Sequence, residues 1–467
     1  LHKEVFRRIR ARSLAKARAE TKPVELSEYQ TFLIGLQGVG PVGGERYDGE
    51  DGVMRVIEQL EGVALPPSVW ESSVLPARVR DYRPAMLDGL LSSGEIVWVG
   101  SKTTGSKAKE PGLVALHPAD SLLLTVQDGE KNGEAPGEPV TLPDAVMAVL
   151  APGGAYHANQ LAGLTRAAWD ASSECVDEST GEILPHPWSD SQFEEALWSL
   201  VWQGKVTNSS FDPLRSLGAS SHAVKAPARA SRRRVRVRVS VPANMTGLWS
   251  AVPHADMQEA SAERVAIARI EALLDRYGVI APPMIDKERL DGGFSGLYPV
   301  LRRMEEHGAL MRGMFVSGCG AAQFASRQTV DALRACAAEP SAVVLDATDP
   351  ANLYGSVIAW PRTIGGFSIR PARRSGASVV LRGGRLLAYA VPRSHHLLLA
   401  QDADPALQQA CNELAYALQR NLRDGGIRGG VTFCDANDEP LTARGEWSRM
   451  LHVAGFVPVP QGMRLYC

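Results

Sequence analysis

Four leucines in this chain each stand seven residues before a glycine, and an aliphatic residue follows each glycine at the second position. The sets are Leu87, Gly94 and Ile96; Leu197, Gly204 and Val206; Leu301, Gly308 and Leu310; and Leu418, Gly425 and Ile427. The glycines lie 110, 104 and 117 residues apart. A leucine two turns upstream anchors a helix, glycine ends it by taking the left-handed conformation, and the aliphatic residue opens a strand. Residues 197–215, LWSLVWQGKVTNSSFDPLR, spell this most fully. Leu197, Leu200 and Val201 form a helical stripe, Gly204 stops it, residues 205–208 alternate like a strand, and Phe211-Asp212-Pro213 breaks the strand. One instance is weak, because many helices end in glycine. Four at near-even spacing predict a degenerate structural repeat.

The clearest unit covers residues 256–335. A long helix over 261–277 ends at Gly278, a short one covers 283–290, and Gly292-Gly293 makes a tight turn. A second main helix over 294–307 gathers Phe294, Leu297, Tyr298, Leu301 and Met304 as its apolar residues, and a hairpin around Gly318-Cys319-Gly320 follows. Helix, helix, turn, helix and wing is the winged-helix order, in which the helix before the wing presents its outer face to DNA. Here that face carries Arg302 and Arg303, and the wing carries Arg312. Residues 26–127 and 140–215 read as two further winged-helix units, with Lys205 and Asn208 on the wing of the second. After Pro340 the period changes to two. Short strands separated by Gly, Pro, Asn and Arg turns predict a small β-barrel over 340–400, including a two-residue hairpin turn at Arg382-Gly383-Gly384-Arg385. Residues 401–467 return to helix as a C-terminal winged-helix-like segment, and residues 1–25 form a basic connecting helix. The expected class is α+β, with tandem winged-helix domains plus a small β-barrel.

A net charge of −2 excludes a uniformly basic, histone-like binder but leaves room for local patches. One is evident. Residues 216–255 hold no carboxylate but carry Lys225, Arg229, Arg232, Arg233, Arg234, Arg236 and Arg238. Arg234-Val-Arg-Val-Arg-Val239 alternates strictly, so one strand face would be all guanidinium, suited to forked contact with phosphate oxygens. A solvated charge run is the plain alternative. The six cysteines show no CxxC and no metal spacing, which points to reduced thiols without a disulfide framework or zinc. No apolar run reaches 18 residues, so no membrane span is expected. No GxxxxGK[ST] occurs. The chain opens at Leu1 within an apparent helix, as a fragment of a longer polypeptide would.

Several stretches carry a resemblance. LPPSVWESSVLPARVRDYRPAMLDGLLSSGEIVWVG, WQGKVTNSSFDPLR, GLWSAV, LDRYGVIAPPM, GGFSGLYPVLRRMEEHGALMRGMFVSGCGAAQFA and TDPANLYG are similar, in order, to the C-terminal region of bacterial large helicase-related (Lhr) proteins. The resemblance implies a superfamily 2, ATP-dependent DNA-translocating helicase whose motor, with its ATP and Mg, lies upstream. This fragment itself is expected to hold no cofactor. It implies DNA, single-stranded or tailed duplex, as partner, and a bacterial, cytoplasmic and nucleoid-associated setting. Where the family usually shows Gly-Arg-Trp-Ser, this chain has Gly247-Leu248-Trp249-Ser250, which removes a polar group at position 248. The same region resembles AlkZ-type DNA glycosylases, in which a Gln-x-Gln or Gln-x-Asp activates water. The matching position is Gln37, with Val39 as the second residue.

Two functions are therefore open: an accessory DNA-binding and assembly region, and a glycosylase releasing a damaged base such as uracil. Base release needs an aromatic wall and a group that holds water. Tyr298, Trp202 and Trp249 are candidates for the wall or for cores, and Asp346 and Asp349 join Gln37 as candidates for the water site or for turn bonds. His395-His396 has no third ligand at metal spacing. Apolar residues at Leu248-Trp249, Val252 and 456–459 predict packing against a neighbouring unit or another copy, with a symmetric homo-oligomer as the expectation.

Overall fold

Gly94, Gly204 and Gly308 all adopt positive φ, at 80°, 75° and 82°. Each closes the same pair of bonds. The glycine N–H donates to the carbonyl three residues back, and the following N–H reaches the carbonyl five residues back (Glu95 to Leu90, Lys205 to Leu200, Ala309 to Met304). This is a Schellman ending, which satisfies carbonyls that a bare helix end leaves open. The three anchoring leucines, Leu87, Leu197 and Leu301, are fully buried, and Ile96, Val206 and Leu310 are buried behind them. The repeat is real for these three.

The structure is a computed structural model. It describes residues 5, 22–41, 43–101, 111–124, 141–172, 175–176, 183–184, 188–220, 242–254, 261–288, 290, 292–336, 341–401, 406–424, 430–442 and 445–466. Gly425 and Ile427, the fourth predicted instance, lie outside the described residues, as does the arginine run 232–238. The pattern instead recurs at Gly455, with φ 98°, where Gly455 N–H meets His452 and Phe456 N–H meets Leu451, and strand Val457–Val459 follows at once.

The chain divides into two compact units, 1–52 with 71–82 and 262–467, and 53–70 with 83–261. These cut across the segments expected from sequence. In the first unit, helix Ala262–Tyr277, strand Val279–Ile280, helices Pro282–Glu288 and Gly293–Glu306, and strands Met311–Gly313 and Gln323–Ala325 follow in order. The last strand lies between the other two. Tyr29, Phe32 and Leu33 of helix Leu26–Leu36 share its core with Tyr277, Leu301 and Phe324. A six-stranded sheet follows, ordered Val343–Asp346, Ser378–Arg382, Arg385–Val391, His396–Leu399, Asp435–Ala436 and Glu439–Pro440. Gly383 and Gly384 form its predicted two-residue turn with φ of 52° and 72°, as a primed hairpin turn requires. Among the described residues no pairing joins the two outer strands, so the region expected as a small barrel is a six-stranded sheet that borrows two strands from beyond residue 400. The expected strands at Val357-Ile358 and 367–369 are not extended ladders. Trp360 of that loop packs against Tyr354 and Tyr389 at 6.2 and 5.6 Å between ring centroids. Helix Leu407–Asp424 buries Leu407, Cys411, Leu414 and Leu418 in the sheet's core. Strands Val431–Phe433, Gly462–Leu465 and Val457–Val459 then repeat the same order, last strand in the middle.

In the second unit, Tyr156–His157, Leu248–Ala251 and Val206–Asn208 form a third sheet of that order, around helices Leu142–Leu150, Ala158–Ser172 and Asp190–Trp202. Strand Ile96–Ser101 pairs with Leu113–Pro118, whose Val114 also bridges Leu65. Residues 248–251, expected in a basic linker, are thus the third strand of a wing. Trp249 is fully buried and meets Trp198 edge-on at 5.5 Å, Trp198 stacks on the buried Trp202, and Val252 is buried as well. Phe456 is buried against Phe433. Of the residues that suggested an oligomer patch, Trp249, Val252 and Phe456 therefore fill cores within their own units while Val457 and Pro458 stay exposed, and Trp202 and Trp249 are not a wall for an extruded base.

The glycine stops set up a graded test. A Cβ on Gly94 meets nothing within 4 Å, whereas one on Gly204 lies 3.2 Å from Val99 Cγ1. Gly94→Ala is expected to cost about 1 kcal/mol, from backbone strain alone. Gly204→Ala should cost more, because Val99 must also give way. Denaturant unfolding of both variants measures this; equal losses would remove the Val99 contribution, and negligible losses would remove the Schellman explanation.

Candidate functional site

Two of the three predicted catalytic residues meet at a third residue that sequence reasoning did not single out. Arg78 follows the turn after the π-helical segment Trp70–Val74, where Val79–Arg80 pairs in parallel with Tyr47–Asp48. Its side chain is fully buried. The guanidinium forks onto Asp349, with Nη1 donating to Oδ2 at 2.9 Å and Nη2 to Oδ1 at 2.8 Å. Nη1 also donates to the Val74 carbonyl at 3.0 Å, and Nη2 to Gln37 Oε1 at 2.9 Å. The other end of the Gln37 amide donates to the Arg276 carbonyl at 3.0 Å. Asp349 Oδ1 accepts from the Ala351 N–H as well. Each carboxylate oxygen and each amide end thus carries a bond within the protein, which makes Gln37 and Asp349 buried links in this network.

Asp346 belongs to the same turn but does different work. Its Oδ1 accepts from Thr348 N–H at 2.9 Å and from the Thr348 hydroxyl, and its Oδ2 accepts from Gly376 N–H at 2.8 Å. Its own N–H donates to Ser73 Oγ at 2.8 Å. Burial pushes the Asp346 carboxyl up, against the pull of these bonds from Thr348 and Gly376. These are the bonds of a turn aspartate.

Around this core lie further polar groups absent from the sequence reading. Gln30 Nε2 donates to Ala351 O at 2.6 Å and its Oε1 accepts from Leu353 N–H at 2.9 Å. Arg373 donates to four carbonyls, of Thr348, Asp349, Asn352 and Tyr354. Lys287 Nζ donates to Pro350 O at 2.6 Å and sits 5.3 Å from the Tyr277 ring centroid. Burial lowers its pKa to about 7, reinforced by Arg373 and opposed by Glu288 and Asp349. Burial alone would raise the Glu288 carboxyl; Arg276, with its Nη1 2.5 Å from Oε2, and the Tyr277 hydroxyl hold it below the usual range. The segment 346–354 is thus clamped by side chains from three distant parts of the chain. No local periodicity could have shown this.

The predicted DNA contacts divide. Arg302 is exposed and paired with Glu306 at 3.1 Å, and exposed Arg303 is paired with Glu263. Such surface pairs are weak and open readily to a phosphate. Arg312 stands over the Tyr298 ring at 5.7 Å, so wing and helix side chains do come together in this unit. Lys205 is half-buried at the start of its strand. Asn208 is a correction: it is buried, with Nδ2 donating to Thr246 O and Oδ1 accepting from Ser210 N–H. A Cβ on Gly247 would lie 2.1 Å from that Oδ1, so the amide folds the wing and does not face a ligand. Among the described residues no group of three His, Cys, Asp or Glu could hold a metal, and no helix is long and apolar enough to cross a membrane.

Residues 24–119 and 259–344 each match the family description "Large helicase-related protein, winged-helix domain". Both stretches are therefore winged-helix domains of the Lhr type. The Lhr helicase/uracil glycosylase of Escherichia coli (strain K12) is 38% identical over 494 residues, covering 98% of this chain and 30% of that protein. The Lhr helicase/probable uracil glycosylase of Mycolicibacterium smegmatis is 37% identical over 487 residues, covering 99% and 30%. The chain therefore spans about a third of the length of these relatives. The solved Streptomyces sahachiroi DNA glycosylase AlkZ shares its fold, with a TM-score of 0.50 at 14% identity, over 89% of this chain and 100% of that one.

Proposed function

We propose that this chain is the C-terminal accessory DNA-binding region of an ATP-dependent helicase of the Lhr type acting in DNA repair, with the motor and its ATP and Mg carried elsewhere in a longer polypeptide. The observation that carries the reading is the alignment of nearly the whole chain with Lhr relatives whose own length is about three times greater. The winged-helix topology supports it, because that fold exposes one helix and one wing to a duplex. Arg302, Arg303 and Arg312 occupy those positions here, while the arginine run 232–238 adds a basic segment to the connection between wing strands of the second unit.

Base release is the second reading, favoured by the names of both relatives and by the AlkZ fold. Against it stands the chemistry of Gln37, Asp346 and Asp349, whose polar atoms are spent on Arg78, on backbone groups and on Thr348. Incubating the 467-residue chain with a uracil-containing oligonucleotide, then treating with alkali, separates the two. Retention of the oligonucleotide without strand cleavage is the expected result. Alkali-labile product would establish the enzyme reading, and absence of both binding and cleavage would sink the proposal.

A further inference from the structure

Between Asp349 and Asp402 the chain has no carboxylate, although at its average content a stretch of that length would hold about six. The same stretch carries seven arginines, at 362, 370, 373, 374, 382, 385 and 393. Arg373 is consumed by the four carbonyls it clamps. Arg362, Arg370 and Arg374 are exposed, and none of the three is paired with an acid among the described residues. Arg374 rests on the sheet through Tyr389, its Nε donating to the phenol oxygen at 3.0 Å and its guanidinium 6.0 Å from the ring centroid. The row continues from Tyr389, edge-on, to Trp360, which is half-exposed and stacks on Tyr354. Arg362 follows Trp360 two residues on. Arg393 reaches the turn beside Arg374, its Nε 4.0 Å from where a Cβ on Gly376 would sit.

Two carboxylates touch this loop. Asp346 is tied to Gly376 and Thr348, and Asp438 accepts from both the N–H and the hydroxyl of Ser368. Each is engaged by neutral donors, so the guanidinium charge of Arg362, Arg370 and Arg374 is not cancelled by pairing.

We propose that the loop over residues 359–376, on the six-stranded sheet of the first unit, binds single-stranded DNA, with Arg362, Arg370 and Arg374 on successive phosphates and the Trp360 indole stacking on an unpaired base. The proposal rests on the DNA-binding reading above and locates one of its surfaces. Guanidinium forks fit phosphate oxygens, and a half-exposed indole offers a face only to a base that is not already paired. A duplex would engage the arginines but leave the indole unused, and an acidic protein partner would gain nothing from it.

The test uses the full 467-residue chain and a labelled oligo-dT, with anisotropy titrations at several salt concentrations. In a triple variant, Arg362→Gln, Arg370→Gln and Arg374→Gln, the slope of log affinity against log salt should fall by about 2, since each single-strand phosphate contact contributes roughly 0.7. Trp360→Leu should weaken oligo-dT binding about 5- to 150-fold, with its slope unchanged and duplex binding little affected. The three arginines are exposed, so the triple variant is expected to melt with the parent, and this control keeps the result readable if Trp360→Leu perturbs packing. Parent binding with no change in slope for the triple variant would overturn this surface while leaving the general DNA-binding reading intact. A parent chain that binds no DNA overturns both.

Discussion

Replacing Arg78 with methionine is expected to destabilise the first unit by about 3–5 kcal/mol, because it strands the Asp349 carboxylate in a site where it has no access to water. The arginine donates four bonds to three partners from separate parts of the chain, so the loss also leaves Gln37 Oε1 and the Val74 carbonyl short of a donor. A second substitution distinguishes charge stranding from lost packing. Arg78→Met combined with Asp349→Leu removes both charges, and buried pairs replaced together by apolar residues are often nearly neutral. The double variant should therefore recover much of the loss. Urea unfolding of the parent, both single variants and the double variant closes the cycle. A loss below about 1 kcal/mol for Arg78→Met would mean that water reaches the Asp349 carboxylate in the variant and that the buried pair does not hold the unit together.

This cluster marks the limit of what the sequence could disclose. Gln37 was a candidate through the resemblance to AlkZ-type glycosylases, and Asp346 and Asp349 through their pairing around a turn; the structure places all three in one unit. Their partner was not legible. Arg78 and Asp349 are 271 residues apart, and nothing in the spacing of either predicts the other. The glycine-stopped helices were legible for the opposite reason: a Schellman ending is decided within six residues, so it survives as a local pattern. Even there, the instance at Gly425 lies outside the described residues, and a further one at Gly455 was missed. Gly425 satisfied the leucine rule, whereas at Gly455 the equivalent position is Ser448, whose hydroxyl donates to the Leu441 carbonyl instead of filling a core. The leucine was an accompaniment of the motif, and the glycine with its following strand was the motif itself.

The wing of the second unit shows a further limit. Its outer strand Val206–Asn208 is separated from the middle strand Leu248–Ala251 by the connection 209–247, so nothing local marks Leu248-Trp249 as part of a wing. Pairing of Trp249 with both Tyr156 and Asn208 is a tertiary fact. The arginines between 362 and 393 are a different case. The absence of carboxylates that drew attention to residues 216–255 is present there over a longer stretch, and it was hidden only by the strand pattern laid over it.

Lys287 supplies the other large effect, in the pH dependence of stability. In the folded chain burial brings its pKa to about 7, from an ordinary value of 10.5. Below pH 7 the lysine is charged in both states, and the folded state bears the whole cost of a buried ammonium. Between pH 7 and 10 the unfolded chain still holds a proton that the folded lysine has released. Unfolding then takes up a proton, so stability rises with pH, by at most about 1.4 kcal/mol per unit from this group. Above the unfolded value neither state is charged and the contribution is flat. Lys287→Met removes the titrating group, though it also deprives the Pro350 carbonyl of its donor. The sign of the change at one pH is therefore not diagnostic; its slope is. The stability of the parent relative to Lys287→Met should climb steadily from pH 7 to 9 in urea titrations and stay level from pH 5 to 6. Curves that run parallel across the whole range would show that the ammonium keeps its ordinary pKa, held by the carbonyls of 346–354 and the Tyr277 ring strongly enough to offset its burial.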